Sequence, residues 1–198
     1  MHSVKTPAYR HTAYPSAWLA AITGFLYSVL FVFVPHATGV IAFLLMVGGI
    51  FGASALLGLY ERLRMSGGGY SAWALVFGLA GALAATLHGG YDLANAIHAP
   101  AQTSDLPSPI DPRGLGTFGL AGIALLAFSF LLHRDPTFPT NLSYLGYLSG
   151  ALLVLIYLAR LTILSPTNPF VLVPAGLEGF IVNPAWYLWL GFVLKRET

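Results

Sequence analysis

The chain has 198 residues, 57% of them hydrophobic and only 8% charged, with a net charge of +2 and a mean hydropathy of +0.75. Soluble domains carry about 25% charge, so this chain could not cover a water-facing surface, and a net charge this small gives no ground for a nucleic-acid partner. The absence of cysteine excludes disulfides, thiolate nucleophiles and Cys-ligated zinc or iron–sulfur centres.

What remains is an all-α polytopic integral membrane protein, a single domain over 1-198 whose partner is the lipid bilayer. Six apolar stretches set the expected spans, at about 17-34, 39-60, 71-97, 114-132, 142-164 and 176-194. Each meets the roughly 17–25 residues needed to cross the hydrocarbon. Lys5 and Arg10 precede the first apolar run, as in a signal peptide, but Ala17 to Val34 is longer than the usual apolar region of such a leader. A retained first helix is expected.

The connections are marked in chain order. Pro35-His36-Ala37-Thr38 forms a tight turn after the first span, and Ser66-Gly67-Gly68-Gly69 a flexible one before the third. Pro100, Pro107, Pro109 and Pro112 forbid regular helix before the fourth. Pro136 and Pro139 precede Asn141, the expected N-cap of the fifth. Pro166, Pro169 and Pro174 are read as the last loop. With cytoplasmic termini, Lys5, Arg10, Arg62, Arg64, Arg134, Lys195 and Arg196 lie inside and Arg113 alone lies in an outer loop. That bias predicts a multi-pass protein of the inner (cytoplasmic) membrane with both termini inside.

Polar residues inside spans are the candidate site. His88, Tyr91, Asp92 and Asn95 recur at i, i+3, i+4 and i+7, which puts them on one helix face. Arg160 sits near the outer end of the fifth span, with Tyr157 one turn away. Glu178 is expected at the outer surface, where the sixth span begins. Asn183 lies deeper, followed by Pro184, and Tyr187 one turn on can line a cavity. Three helices thus bring polar groups to similar outer depths. An intramembrane charge is costly enough to mark a ligand or proton path. The same residues also fit a structural reading, with Arg160 reaching to the headgroups or pairing with Asp92 as glue between helices.

Other patterns resolve as packing. Gly114-Leu115-Gly116-Thr117-Phe118-Gly119 matches a dinucleotide fingerprint, but no strand precedes it. Gly48 and Gly52 form a GxxxG pair, a face for a neighbouring helix, a protein partner or a second copy of the chain. Phe-Gly-Leu-Ala-Gly occurs at 77–81 and again at 118–122, as chance allows in a chain rich in these residues. Asn141-Leu142-Ser143 fits a glycosylation acceptor, but on the inner side. Trp18, Trp73, Trp186 and Trp189 cluster toward span ends as an interfacial belt. His88 is the single histidine within a span, so haem lacks a second axial ligand, and no Lys within a span offers a retinal linkage. No cofactor and no metal are expected.

From about residue 57 to 196 the chain resembles an uncharacterised family of bacterial multi-spanning membrane proteins, a domain of unknown function. The residues that carry the resemblance are Leu59-Tyr60-Glu61-Arg62-Leu63, Phe77-Gly78-Leu79, Pro139 through Gly146 and Trp186 through Arg196. The resemblance implies a bacterial membrane bundle and supplies no active residues. Three functions follow from the sequence. The first is binding or transport of a small polar or amphipathic ligand through an outward-facing polar cavity. The second is an accessory subunit of a larger membrane complex. The third is an intramembrane enzyme using His88 and Asp92 as an acid–base pair, for which no nucleophile or metal constellation is present.

Overall fold

A computed structural model describes residues 10–98, 113–163, 165 and 168–196. Lys5, Pro100, Pro107, Pro109, Pro112 and Pro166 lie outside them. The described residues are helices and turns, with no strand among them. Among them five helices are long and apolar enough to cross a membrane, so the chain is an all-α membrane protein.

Helix α1 spans Arg10–Phe33. It starts seven residues before the apolar run because polar residues continue the helix, with Pro15 in its early part. The turn at Pro35 and His36 separates it from α2, Thr38–Ile97. At about 1.5 Å per residue, 60 residues would reach about 90 Å if straight. The helix breaks at Gly68, where φ is 53° and ψ is −137°. A side chain is strained at such a positive φ, and glycine is not. The two arms fold back on one another. Gly49 of the first arm lies on Ala82 and Thr86 of the second, and Gly89 of the second lies on Ala42 and Met46 of the first.

A π segment, Leu115–Leu120, runs directly into α3, Ala121–Arg134. Helix α4 spans Thr140–Thr162. Its N-cap is Pro139, with no side-chain cap, so Asn141 stands inside the first turn rather than at the cap. The last rod is continuous from α5, Pro169–Leu177, through a π segment, Glu178–Val182, to α6, Asn183–Lys195. From Pro169 onward the expected last loop is therefore helix. Pro169 sits in the first turn, where no intrahelical donor is needed, and the Asn168 side chain accepts from the Phe170 N–H at 3.0 Å. Pro174 is accommodated within α5.

These rods pack as a ring of antiparallel neighbours, and small residues stand at each junction. Gly58 meets Ala13 and Gly48 meets Thr23, which joins the first arm of α2 to α1. Gly191 meets Trp18 and Gly179 meets Ser28, joining α1 to the last rod. Gly146 meets Trp186, Gly122 meets Gly150, and Gly81 meets Ala121, which closes the ring through α4 and α3 to the second arm. The Gly48/Gly52 face is thus used within the chain, since Gly52 is buried close to the Tyr187 hydroxyl. The fingerprint glycines are likewise contacts, Gly116 on Ala84 and Gly119 on the Tyr157 ring. Apolar burial gives little net gain between helices in lipid, so backbone approach at small residues holds such a bundle.

The core is asymmetric. Trp186, Phe128, Leu59, Leu63, Leu132, Leu142 and Leu190 are fully buried. They sit toward the end from which Arg62, Arg134 and Lys195 emerge. The exterior is apolar, with Phe33, Leu87 and Phe170 largely exposed. At the same end the α2 apex is tied to the α3–α4 turn. Asp135 Oδ2 accepts from Ser66 Oγ at 3.1 Å, and Oδ1 accepts from the Thr137 N–H at 3.0 Å and the Thr137 hydroxyl at 2.7 Å. Partial burial works to raise the Asp135 pKa, but Thr137, Ser66 and Arg62 outweigh it and hold the carboxyl below its ordinary 3.8.

A Gly122→Ala substitution would push a methyl to within 2.9 Å of the Gly150 carbonyl and 3.0 Å of the Val154 nitrogen. It is expected to lower stability by about 1–3 kcal/mol, the usual cost of overpacking. Gly176→Ala, which meets nothing within 4 Å, should leave the thermal midpoint in detergent unchanged. The Asp135 ties have a pH signature. A carboxyl depressed by folding stabilises above its unfolded pKa, and that stabilisation is lost as pH falls through the folded value. Asp135→Asn should therefore lower the thermal midpoint slightly near pH 6, and the difference from the unaltered chain should shrink as pH falls below 3.8 and vanish below the depressed folded value.

Candidate functional site

The predicted polar residues do not form one cluster. They separate into an outer group on α2 and a deeper group around Glu178.

In the outer group, the i, i+4 spacing does what it predicts. His88 Nε2 and Asp92 Oδ2 are 3.3 Å apart on one face of α2. The second partner of Asp92 is Arg113, whose Nη1 donates to Oδ1 at 3.1 Å. The Arg113 guanidinium also lies over the Tyr91 ring, 4.5 Å from its centroid. Asp92 is therefore held between an imidazole and a guanidinium, and Arg113 replaces Arg160 as its cationic partner. Arg160 Nη1 instead donates to the Ile163 carbonyl at 3.1 Å, where α4 ends. A cation there satisfies a C-terminal carbonyl and complements the helix dipole. Tyr157 packs its ring on Gly119 of the π segment. Asn95 is half-buried one turn beyond Asp92.

Glu178 corrects the larger expectation. It is not at the surface. The helix begins at Pro169, so Glu178 lies nine residues in, about 13 Å deep at about 1.5 Å per residue. Its partner Ser149 lies nine residues in from Thr140, the opposite end of an antiparallel helix. Counted from either side, the pair falls near the middle of a hydrocarbon layer of about 30 Å. Only 4% of Glu178 is exposed.

One carboxylate oxygen is satisfied. Glu178 Oε1 accepts from Ser149 Oγ at 2.6 Å and from Asn183 Nδ2 at 3.1 Å. The other, Oε2, is buried with no hydrogen-bond partner among the described residues. Ser28 of α1 packs against the adjacent Gly179, and Asn183 reaches toward Gly24. The Tyr187 hydroxyl lies against Gly52 of α2. Polar groups from α1, α4 and the last rod thus gather around the bundle centre.

The backbone at Glu178 is also unusual, for a readable reason. Pro184 has no N–H to donate to the carbonyl four residues back, and its ring would crowd that carbonyl. The helix widens instead, and the Asn183 N–H bonds to the Glu178 carbonyl in π register. Single-turn π segments of this kind recur at functional sites. Below, Trp186 is fully buried eight residues on, about 12 Å deeper. There Trp186 and Ser129 face Gly146.

Sequence reading missed Ser149, Ser28 and Arg113. Ser149 had a signal, as a hydroxyl in mid-span, but serine is common in membrane helices. Arg113 was used only to orient the chain. Among the described residues no group of three or more His, Asp or Glu could hold a metal ion. The fold and site define an all-α membrane protein with a buried carboxyl at its centre. No family model, curated protein or solved structure compared with the chain matches it.

Charge at Asp92 is shared, so its loss is expected to be mild. Asp92→Asn should lower stability by no more than about 1 kcal/mol, as for other partly exposed ion pairs. Ser149→Ala should cost more, about 1–3 kcal/mol, because it withdraws a donor from a buried carboxylate oxygen. Thermal unfolding of both variants in one detergent gives the comparison.

Proposed function

We propose that the chain is a six-span protein of the cytoplasmic membrane, with both termini inside, that binds or transports a small polar or amphipathic ligand through an outward-facing path ending at Glu178. In this reading the two arms of α2 are separate spans. Arg62, Arg64, Arg134, Lys195 and Arg196 then face the cytoplasm, as the positive-inside rule requires. His88, Tyr91, Asp92, Asn95 and Arg113 stand at the outer mouth, with Tyr157 and Arg160 at the same level. Asn183, Ser149 and Tyr187 surround the floor.

The observation that carries the reading is the second oxygen of Glu178. A carboxyl at the bilayer centre costs about 2.5–3.5 kcal/mol on insertion scales and marks a functional site by default. A structural pair would satisfy both oxygens. Here one is held by two donors and the other has no donor among the described residues. The ligand best matched to it carries a hydrogen-bond donor or a positive charge, with a proton as the smallest case. The buried Trp186 and Phe128 close the path below. A His88–Asp92 enzyme is less well supported, because Arg113 already engages Asp92.

The chain contains no cysteine, so single cysteines report access directly. An impermeant maleimide should label His98→Cys in intact cells and Met65→Cys only after permeabilisation, which tests the orientation. A small external methanethiosulfonate should reach Ser149→Cys and not Ser129→Cys. Labelling of both or of neither would sink the outward path. Native mass spectrometry from mild detergent should show a small-molecule adduct that Glu178→Gln removes without loss of folding. A second polypeptide at fixed ratio would replace this reading with an accessory subunit.

A further inference from the structure

The other end of the bundle holds a feature that the path to Glu178 does not use. A cleft of about 350 Å³ opens beside the α2 apex, lined by Ser66, Tyr70, Phe130, Arg134 and Asp135 among others. A shallow apolar groove of about 450 Å³ adjoins it, sharing Tyr70 and Phe130 and continuing past Trp73 to Leu126 and Ile123. Together they run along the outside of the second arm of α2 and α3.

The mouth holds one carboxylate, Asp135, against two guanidinium groups, Arg134 in its lining and Arg62 close by. The Arg134 guanidinium lies over the Phe130 ring, 4.9 Å from its centroid, and makes no ion pair among the described residues. Asp135 keeps its charge, but its oxygens are engaged by Ser66 and twice by Thr137 and it makes no ion pair with Arg134. Arg62 adds positive charge near the same carboxylate. The walls are aromatic and ordered: Tyr70 stacks on Trp73 at an interplanar angle of 8° and meets Phe130 edge-on at 82°.

The dimensions match one leaflet. Arg134 ends α3, at headgroup level. Ile123 lies eleven residues deeper, about 16 Å at about 1.5 Å per residue. Half a hydrocarbon layer is about 15 Å. A molecule that fills both parts needs an anionic head at Arg134 and an apolar tail that reaches the bilayer middle.

We propose that this cleft and groove form a binding site for one anionic phospholipid, with its phosphate on Arg134 and one acyl chain along Tyr70, Trp73, Leu126 and Ile123. Guanidinium pairs well with phosphate oxygens through parallel donors, and basic pockets between membrane helices hold anionic headgroups. The site is independent of the path to Glu178, which lies inside the ring while this groove lies on its exterior.

The test is native mass spectrometry of the full chain after exchange into detergent with equimolar phosphatidylglycerol and phosphatidylethanolamine. The unaltered chain should retain the anionic lipid over the zwitterionic one. Arg134→Gln should cut that preference about fivefold, the effect of one basic residue at a membrane surface. Arg64→Gln removes a guanidinium from the same end but outside the cleft, where it pairs with Glu61 at 3.1 Å. It should keep the preference. Ile123→Trp fills the groove with the mouth intact, and should lower retention of the anionic lipid without moving the thermal midpoint. Equal retention of both lipids by the unaltered chain overturns the proposal. So does an Arg64→Gln loss as large as that of Arg134→Gln, which would mean general surface charge. Full retention by Ile123→Trp overturns the acyl-chain part of the site.

Discussion

The constraint on which the bundle depends is the closeness of its helix backbones. Lipid offers no hydrophobic drive between helices, so van der Waals contact must hold them together. The chain meets this with glycine or alanine where rods adjoin, as at Gly49 on Ala82, Gly122 on Gly150 and Gly191 on Trp18. Contacts this tight leave little slack in register. A side chain such as Ser149 is therefore set opposite Glu178 by contacts several turns away.

That closeness is uneven along the axis. At the Arg134 end, Trp186, Phe128 and a set of leucines fill the ring. Nearer the other end the rods carry Ser28, Asn183, Glu178, His88 and Asp92. The polar groups lie along the ring from the His88 level to the middle, and the large apolar side chains begin below. The π segment at Glu178 belongs to this arrangement. Pro184 removes one helical donor, the register widens by one residue, and the carboxylate falls at the turn where the geometry changes. The backbone irregularity has a cause in sequence, Pro184, six positions after the buried carboxyl.

The candidate site was partly legible. The stripe from His88 to Asn95 was readable because helical spacing is local, and the His88–Asp92 contact follows from it. Its cationic partner was not, because Arg160 and Arg113 were both available and only the packing of α3 against α2 selects Arg113. Glu178 was named as a candidate but placed too shallow. Pro169 and Pro174 read as loop, while the fold uses the first as a helix start and absorbs the second. That single misreading moved the carboxyl from the surface to the centre and hid its relation to Ser149.

By itself the sequence determined the solvent class, the helical content and the turns at Pro35, Gly68 and Pro136. Composition and the length of apolar runs are additive properties that need no partner. The positive φ at Gly68 was foreshadowed in the same way, by a run of glycines with no side chains to resist a turn. Tertiary structure alone decided which polar groups meet, that Gly48 and Gly52 are spent inside the chain, and that one oxygen of Glu178 has no donor among the described residues. Such outcomes depend on distances between residues far apart in sequence. In a bundle whose interior and exterior are both apolar, hydrophobic patterning does not say which face turns inward.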